Sequence, residues 1–254
     1  MSALRRAGLP TPSIVANCAD PAVLDGRPFC LMLAMPGMRV DKALEHSSAK
    51  QVVEAAIRAL KRIHSVPLGQ CGIGDEQPTS LLGELMRWEW LMQRAPADLT
   101  ARAPLLRAAL EARRPSEPST TVVHGDYHYG NLLFDRDGAG TLEVVAVFDW
   151  EIAELGAPML DVGCLCVFAQ THAGHPAFSG LSGGLELGAD DIFGIYGPDR
   201  TESRWYLAVS DYKYAAIFGY NLMLHRRGRR ADPLYEDLTG VIRELIESGL
   251  ENVS

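Results

Sequence analysis

Val123-His-Gly-Asp-Tyr-His-Tyr-Gly-Asn-Leu-Leu-Phe134, followed shortly by Val147-Phe-Asp-Trp-Glu151, decides how this chain is read. The β-rich run Thr120 to Val123 predicts a short strand that delivers Asp126 into an irregular loop containing Gly125. Asn131 to Phe134 and Leu142 to Phe148 predict two more strands, joined by the turn-forming segment Asp135-Arg-Asp-Gly-Ala-Gly140. A hairpin of this kind returns the chain to its own start, so Asp149 should arrive near Asn131. Two carboxylates and one amide then converge at the mouth of the hairpin. Phosphoryl transfer from a nucleotide requires such a set: one Asp to accept the proton of the attacking hydroxyl, and an Asn and a second Asp to hold magnesium against the phosphates. Magnesium suits the arrangement, because it takes a few oxygens from protein and the rest from phosphate and water.

Each of these residues also has a plainer role, since Asp and Asn in a glycine-containing loop commonly form turns. The joint spacing, HGDxxxxN with a hairpin ending in FDW, argues for chemistry. Two rival constellations fall away. His124 and His128 are spaced as zinc ligands would be on a helix, but Gly125 and the β-rich flank make a helix there improbable and position 125 is not Glu. A serine hydrolase would need an exposed Ser in a GxSxG elbow, which the sequence lacks.

The rest of the composition bounds the class. The chain has 254 residues, 47% hydrophobic and 22% charged, enough for one large domain or two small lobes. A formal charge of −8 speaks against nucleic acid as a partner. No apolar run approaches the roughly 20 residues of a membrane span, and no secretory leader is visible, so a cytoplasmic protein without a membrane partner is expected. The five cysteines lack CxxC spacing; Cys164 and Cys166 lie in an apolar stretch and read as buried thiols. The basic run Arg226-Arg-Gly-Arg-Arg230 follows a long helical stretch, where cations favour the helix end; an anion-binding patch is the alternative.

Around the central motif the pattern is mainly helical. Ser2 to Ala7 looks like the tail of a helix stopped by Gly8, and Ser13 to Cys18 and Pro28 to Met35 read as two short strands, with Asp20-Pro21 and Asp25-Gly26 as turn formers between them. Pro36-Gly37 marks a hinge. Val53, Ala56, Ile57, Leu60 and Ile63 recur at helical spacing behind a cap at Ser47 or Ser48. Helices are expected over Ser80 to Arg94, Pro104 to Arg113, Pro158 to Gln170 and Glu202 to His225, with a flexible loop over Gly180 to Gly188 and a last helix after Asp232-Pro233. Strand pairs embedded in a helical chain predict an α+β fold.

At HGDYHYGN and FDWE the sequence resembles the aminoglycoside phosphotransferase and choline kinase family, which shares the protein-kinase-like fold; the likeness runs from about Leu4 to Arg230. It implies an ATP-dependent kinase acting on a hydroxyl of a small molecule, with Asp126 as catalytic base and Asn131 and Asp149 as magnesium ligands. Glu151 is a weaker candidate for the outer shell of the metal. Gly156-Ala-Pro-Met-Leu-Asp161 is similar to the family's next motif, which gives Asp161, and with it His124, the structural task of bracing the catalytic loop. Phe29-Cys-Leu-Met-Leu-Ala-Met-Pro-Gly37 resembles the hinge strand under the adenine, which implies base contacts from the Leu33 carbonyl and the Met35 amide; a plain core strand is the alternative. Trp205 to Tyr220 falls where the family shapes its acceptor pocket, although the aromatic stripe of Trp205, Tyr212 and Tyr220 also suits a core.

The resemblance divides the chain into a remnant of the nucleotide-binding lobe and hinge over 1–37 and a helical lobe with the catalytic and metal-binding loops over 38–254. A family member should open with a phosphate-covering loop, a strand carrying a Lys and a helix carrying its Glu partner. The only lysines here are Lys42, Lys50, Lys61 and Lys213, all beyond the first two strands. A catalytically impaired, kinase-like binding module is therefore the alternative expectation, as is a chain start placed too late. A strand pair without neighbours would also expose an edge, so the small lobe is expected to form a homodimer or to be poorly ordered.

Overall fold

Along Leu142–Val147 buried and more exposed side chains alternate before the strand ends in two buried residues, as a strand with one face on a core requires. In the computed structural model this strand pairs antiparallel with Leu132–Arg136, and the two form the hairpin that the sequence predicts. The structure describes residues 1–20, 22–73, 76–169, 175, 179–197 and 202–254. Pro21 and Gln170, two of the residues used above to mark boundaries, lie outside them.

In chain order the first half comprises α1 (Ser2–Arg6), β1 (Ile14–Cys18), β2 (Phe29–Met32), α2 (Val40–Leu44), α3 (Ala49–His64), α4 (Leu81–Met92) and α5 (Ala103–Ala112). The second half comprises β3 (Thr121–Val123), β4 (Leu132–Arg136), β5 (Leu142–Val147), β6 (Glu154–Gly156), α6 (Met159–Ala169), α7 (Ser179–Ser182), α8 (Ala189–Tyr196), α9 (Ser203–Arg226), α10 (Leu234–Asp237) and α11 (Thr239–Asn252). The fold is α+β and protein-kinase-like. Among the described residues the strands form three antiparallel pairs, β1 with β2, β3 with β6 and β4 with β5.

The helices begin where local chemistry satisfies their first amides. Ser48, not Ser47, caps α3 in a capping box with Gln51, and Val52, Val53, Ala56, Ile57, Leu60 and Ile63 form its buried face. Ser80 caps α4 by accepting the Gly83 amide, and Pro104 stands in the first turn of α5. The stretch read as a loop from Gly180 onward opens instead within the short helix α7. Helix α6 is buried on all sides, Cys164 and Cys166 included, and packs on α9, which also contacts α4 and α11. No helix among the described residues is long and apolar enough to cross a membrane.

Both outer edges of the β4–β5 hairpin are occupied. Met38 exchanges two backbone hydrogen bonds with Phe134, 2.7 and 2.8 Å, and the Val147 amide donates to Pro10 O at 2.6 Å. The Met38 pairing needs Gly37: its φ is +129°, and a Cβ there would stand 2.9 Å from Val145 Cγ2 and 3.1 Å from the Phe134 carbonyl. Leu4, Leu9 and Thr11 are buried with the helical core, and Arg62 binds Gly8 O at 2.6 Å. The opening residues therefore pack with the large lobe, and the β1–β2 pair stands off it with Val15, Leu31 and Leu33 more than half exposed.

Asp211 of α9 is fully buried and accepts hydrogen bonds from Ser248 (2.9 Å) and Asn252 (3.4 Å) of α11. Burial, only partly opposed by these two donors, raises its carboxyl to about 7. A carboxyl raised on folding binds more protons in the native than in the unfolded state between the two values, so its contribution to stability falls as pH rises from about 4 to about 7. Asp211→Asn, which keeps the shape without the charge, should flatten that part of the profile, as urea denaturation between pH 4 and 8 would read.

Candidate active site

Strand β3 is followed by a fully buried His124, and the chain turns sharply at Gly125, whose φ is +83°. A side chain at 125 would drive Cβ to 2.6 Å from the Ile152 carbonyl, so only glycine lets the loop pass under that segment. The turn leaves two adjacent amides facing inward, and both are taken by one carboxylate. His124 N–H donates to Asp161 Oδ2 at 2.8 Å and Gly125 N–H to Oδ1 at 2.9 Å. His64, from the last turn of α3, lies 3.1 Å from the same Oδ2 through Nε2, and its Nδ1 lies 2.8 Å from the Tyr196 hydroxyl. Burial alone would raise the Asp161 carboxyl; the partners His64 and His124 outweigh it and hold the group below the ordinary carboxylate range. Asp161 is thus an ion with its oxygens bonded to three donors from two elements.

His124 carries the connection across to the hairpin. The Asp126 amide lies 3.2 Å from His124 Nδ1. An amide only donates, so Nδ1 is the acceptor and the ring proton sits on Nε2, which donates to Phe148 O at 2.7 Å. Burial lowers the pKa of this imidazole and keeps it neutral. Phe148 is held from its other side as well, its amide donating to Asn131 O at 2.9 Å. Asp149, the next residue, is exposed and stands at φ +61°, a left-handed conformation uncommon for any residue but glycine. The side-chain amide of Asn131 turns toward Asp126, with Nδ2 3.0 Å from Asp126 O and 3.5 Å from Oδ2. Asp126, Asn131 and Asp149 are in this way linked through Phe148 and His124 at one mouth of the hairpin. Glu151 is exposed on the turn beyond. Leu33 is exposed and Met35 half-buried on the segment that leads from β2 to the Met38 bridge; the Leu33 amide donates to Ser13 O at 2.9 Å.

Around Asp126 stand groups that sequence reasoning passed over. The Tyr214 hydroxyl donates to Oδ1 at 2.6 Å, and His128 Nε2 lies 3.5 Å from Oδ2. His128 Nδ1 accepts the Gly130 amide at 3.1 Å, which places the ring proton on the nitrogen facing Asp126. The ammonium of Lys213, buried in α9, hydrogen-bonds the Gly125 carbonyl. Burial pulls the Asp126 carboxyl up, but His128, Lys213 and Tyr214 together hold it well below the ordinary range, so it is a carboxylate. For Lys213 burial is likewise outweighed, by the surrounding thiol and carboxylates, and its pKa rises. The sequence did hold one signal: a lysine between Tyr212 and Tyr214 inside a long apolar helix is a charge where charges are rare. The aromatic stripe itself is largely core, with Trp205 and Tyr212 buried and the Trp205 indole bonded to Leu110 O at 2.9 Å. Among the described residues no three His, Cys, Asp or Glu side chains gather as a metal cluster, and His124 and His128 are each engaged elsewhere.

The phosphotransferase enzyme family model matches residues 1–192. The chain belongs to this family. Among curated relatives, the mouse protein "Acyl-CoA dehydrogenase family member 10" is 30% identical over 233 residues, 85% of this chain but 21% of its own length. An aminoglycoside 3′-phosphotransferase of Streptomyces fradiae is 29% identical over 153 residues, 58% of this chain and 53% of that protein. The chain thus spans from about a fifth to about half of these relatives. A solved Ralstonia eutropha structure assigned as an aminoglycoside phosphotransferase superposes with a TM-score of 0.74 at 24% identity, over 99% of this chain and 80% of the other. At that identity the likeness speaks for the fold alone. The family match and the fold likeness thus agree.

Asp161 is the most consequential buried charge of the site. Asp161→Ala would leave one buried and one partly buried amide without an acceptor and should lower stability by about 3–5 kcal/mol in urea denaturation, the usual cost of removing one partner from a buried ionic network.

Proposed function

We propose that this phosphotransferase moves the γ-phosphoryl group of ATP to a hydroxyl of a small molecule, with Asp126 as the base. The observation that carries the proposal is the linkage at Asn131, whose side chain bonds the Asp126 backbone while its own carbonyl accepts the amide preceding Asp149. Asp126 is ionised and retains some exposure, so it can orient an acceptor hydroxyl and take its proton as the new O–P bond forms. The bond from the γ-phosphorus to the bridging oxygen breaks, and ADP leaves with its electrons. Lys213, under the loop, stabilises the carboxylate form of the base.

The residues present fit magnesium. Asn131 Nδ2 is committed to Asp126, which makes Oδ1 the end of the amide able to meet a cation, and Asp149 adds an exposed carboxylate. Two hard oxygen donors are what a magnesium ion shared with phosphates asks of protein. Bound there, the ion would neutralise charge on the transferring phosphate. The Leu33 carbonyl and Met35 amide are the proposed contacts for the adenine, and His124 and Asp161 hold the loop without moving protons. As the acceptor we propose either a cationic hydroxyl compound, suited to the charge of −8, or a hydroxylated acyl thioester, suggested by the name of the mouse relative.

Transfer from γ-labelled ATP to aminoglycosides, choline and hydroxyacyl-CoA compounds tests the reading. Labelled product with one class supports it. A thermal shift with Mg-ATP but no transfer to any acceptor or to water would instead favour a nucleotide-binding module. Asp126→Asn should lower turnover by roughly 10²–10⁴, measured as ADP release. Asp149→Ala should remove magnesium-dependent nucleotide binding, which calorimetry reads as lost heat on adding Mg-ATP; unchanged heat would take Asp149 out of the role.

A further inference from the structure

Tyr214 is a buried side chain of α9 whose contact with Asp126 has so far counted only toward keeping that carboxyl ionised. Its ring is wedged edge-on against Phe168, with centroids 4.7 Å apart and planes at 82°, and lies 5.8 Å from Phe218. The His128 ring also packs on Phe168, with centroids 4.8 Å apart. Phe168 and Phe218 thus hold the Tyr214 ring, whose hydroxyl points at Asp126 Oδ1 from 2.6 Å. Burial and the neighbouring carboxylate hold this phenol far above its ordinary pKa, so it remains a donor. The second oxygen is held differently. Among the described residues Oδ2 has His128 Nε2 and Asn131 Nδ2 near it, both at 3.5 Å, beyond the usual reach of an N–H donor. A carboxylate with one oxygen tightly bonded inward and the other loosely held has lost its freedom to rotate. The next residue back, Lys213, secures the loop from the same helix: its ammonium hydrogen-bonds the Gly125 carbonyl, lies 3.6 Å from Cys164 Sγ and stands 5.0 Å from the Trp88 ring centroid.

We propose that Tyr214 is a positioning residue for phosphoryl transfer: its hydroxyl pins Oδ1 of Asp126, so that Oδ2 is the oxygen that receives the proton of the acceptor. This rests on Asp126 being the base. A buried tyrosine that merely filled space would be replaced by phenylalanine without consequence for the reaction. A pinning hydroxyl would not, because a carboxylate free to turn spends little time in the productive orientation, and misplacement by about 1 Å costs on the order of a hundredfold in rate.

The test compares Tyr214→Phe with the parent, using ADP release from Mg-ATP with water as the acceptor. Phenylalanine keeps the ring packing and removes one oxygen, so the melting temperature and the KM for ATP should stay at parental values while kcat falls roughly ten- to a hundredfold. A crystal structure of the variant supplies a readout independent of turnover: the Asp126 carboxylate should be rotated or in two conformers, with the Gly125–Gly130 backbone unmoved. Parental kcat together with an unmoved, single Asp126 conformer would overturn the proposal. If turnover is too slow to measure in the parent, the rotamer of Asp126 decides alone. Asp126→Asn run in parallel separates two failures. Parental turnover in that variant sinks the assignment of the base and Tyr214 with it, whereas a dead Asp126→Asn beside a fully active Tyr214→Phe sinks only the role of Tyr214.

Discussion

A single carboxylate buried where α6 begins organises the candidate site. Asp161 accepts the amides of His124 and Gly125 and faces His64. Left without these donors, an ion in that position would be strongly disfavoured. With them it converts a glycine turn into a fixed platform. Every other contact of the site builds on that platform. With the backbone at 124 and 125 held, the His124 ring reaches Phe148. Asp126 is then carried to the place where Tyr214, His128 and Asn131 surround it.

The β3–β6 pair serves the same end. Its register sets Thr121 against Gly156 and Val123 against Glu154, so the chain leaving β6 is already beside β3 when α6 starts. The separation between Asp161 and the loop is thereby closed by strand pairing before any side chain is counted. The hairpin adds the other half. Its Phe148 amide bonds Asn131, which makes position 149 adjacent to 131 whatever the length of the turn between the strands. Helix α9 closes the site from beneath with an ammonium, a group rarely buried, and a phenol, both aimed at the loop.

Charge is handled by pairing at the site and by neutralisation away from it. Asp161 and Asp126 keep their negative charge because donors and the buried Lys213 surround them. Asp211 has two weak donors and is raised to about 7. Glu154, partly buried and beside Glu84, is also raised to about 7, Thr79 and Arg87 only partly opposing the effect. The same desolvation thus leaves an ion in one place and an acid that titrates near neutrality in another, according to the donors and like charges around it.

The sequence alone settled the elements whose signals are local. β-rich runs marked β4 and β5, glycine and aspartate marked the turn between them, the apolar stripe behind Ser47 or Ser48 marked α3, and the spacing of Asp126, Asn131 and Asp149 suggested a convergence, because a hairpin must return to its origin. Glu154–Gly156 was not legible as a strand, since three residues carry too little pattern and its partner lies 35 positions away at Thr121. Nor could His64, Lys213 or Tyr214 be assigned to the loop. Their partners come from other helices, and helical periodicity tells which face is buried but not what waits there. The packing of Leu4, Leu9 and Thr11 with the large lobe was hidden for the same reason. Local chemistry chose the elements; long-range packing chose which buried polar groups meet.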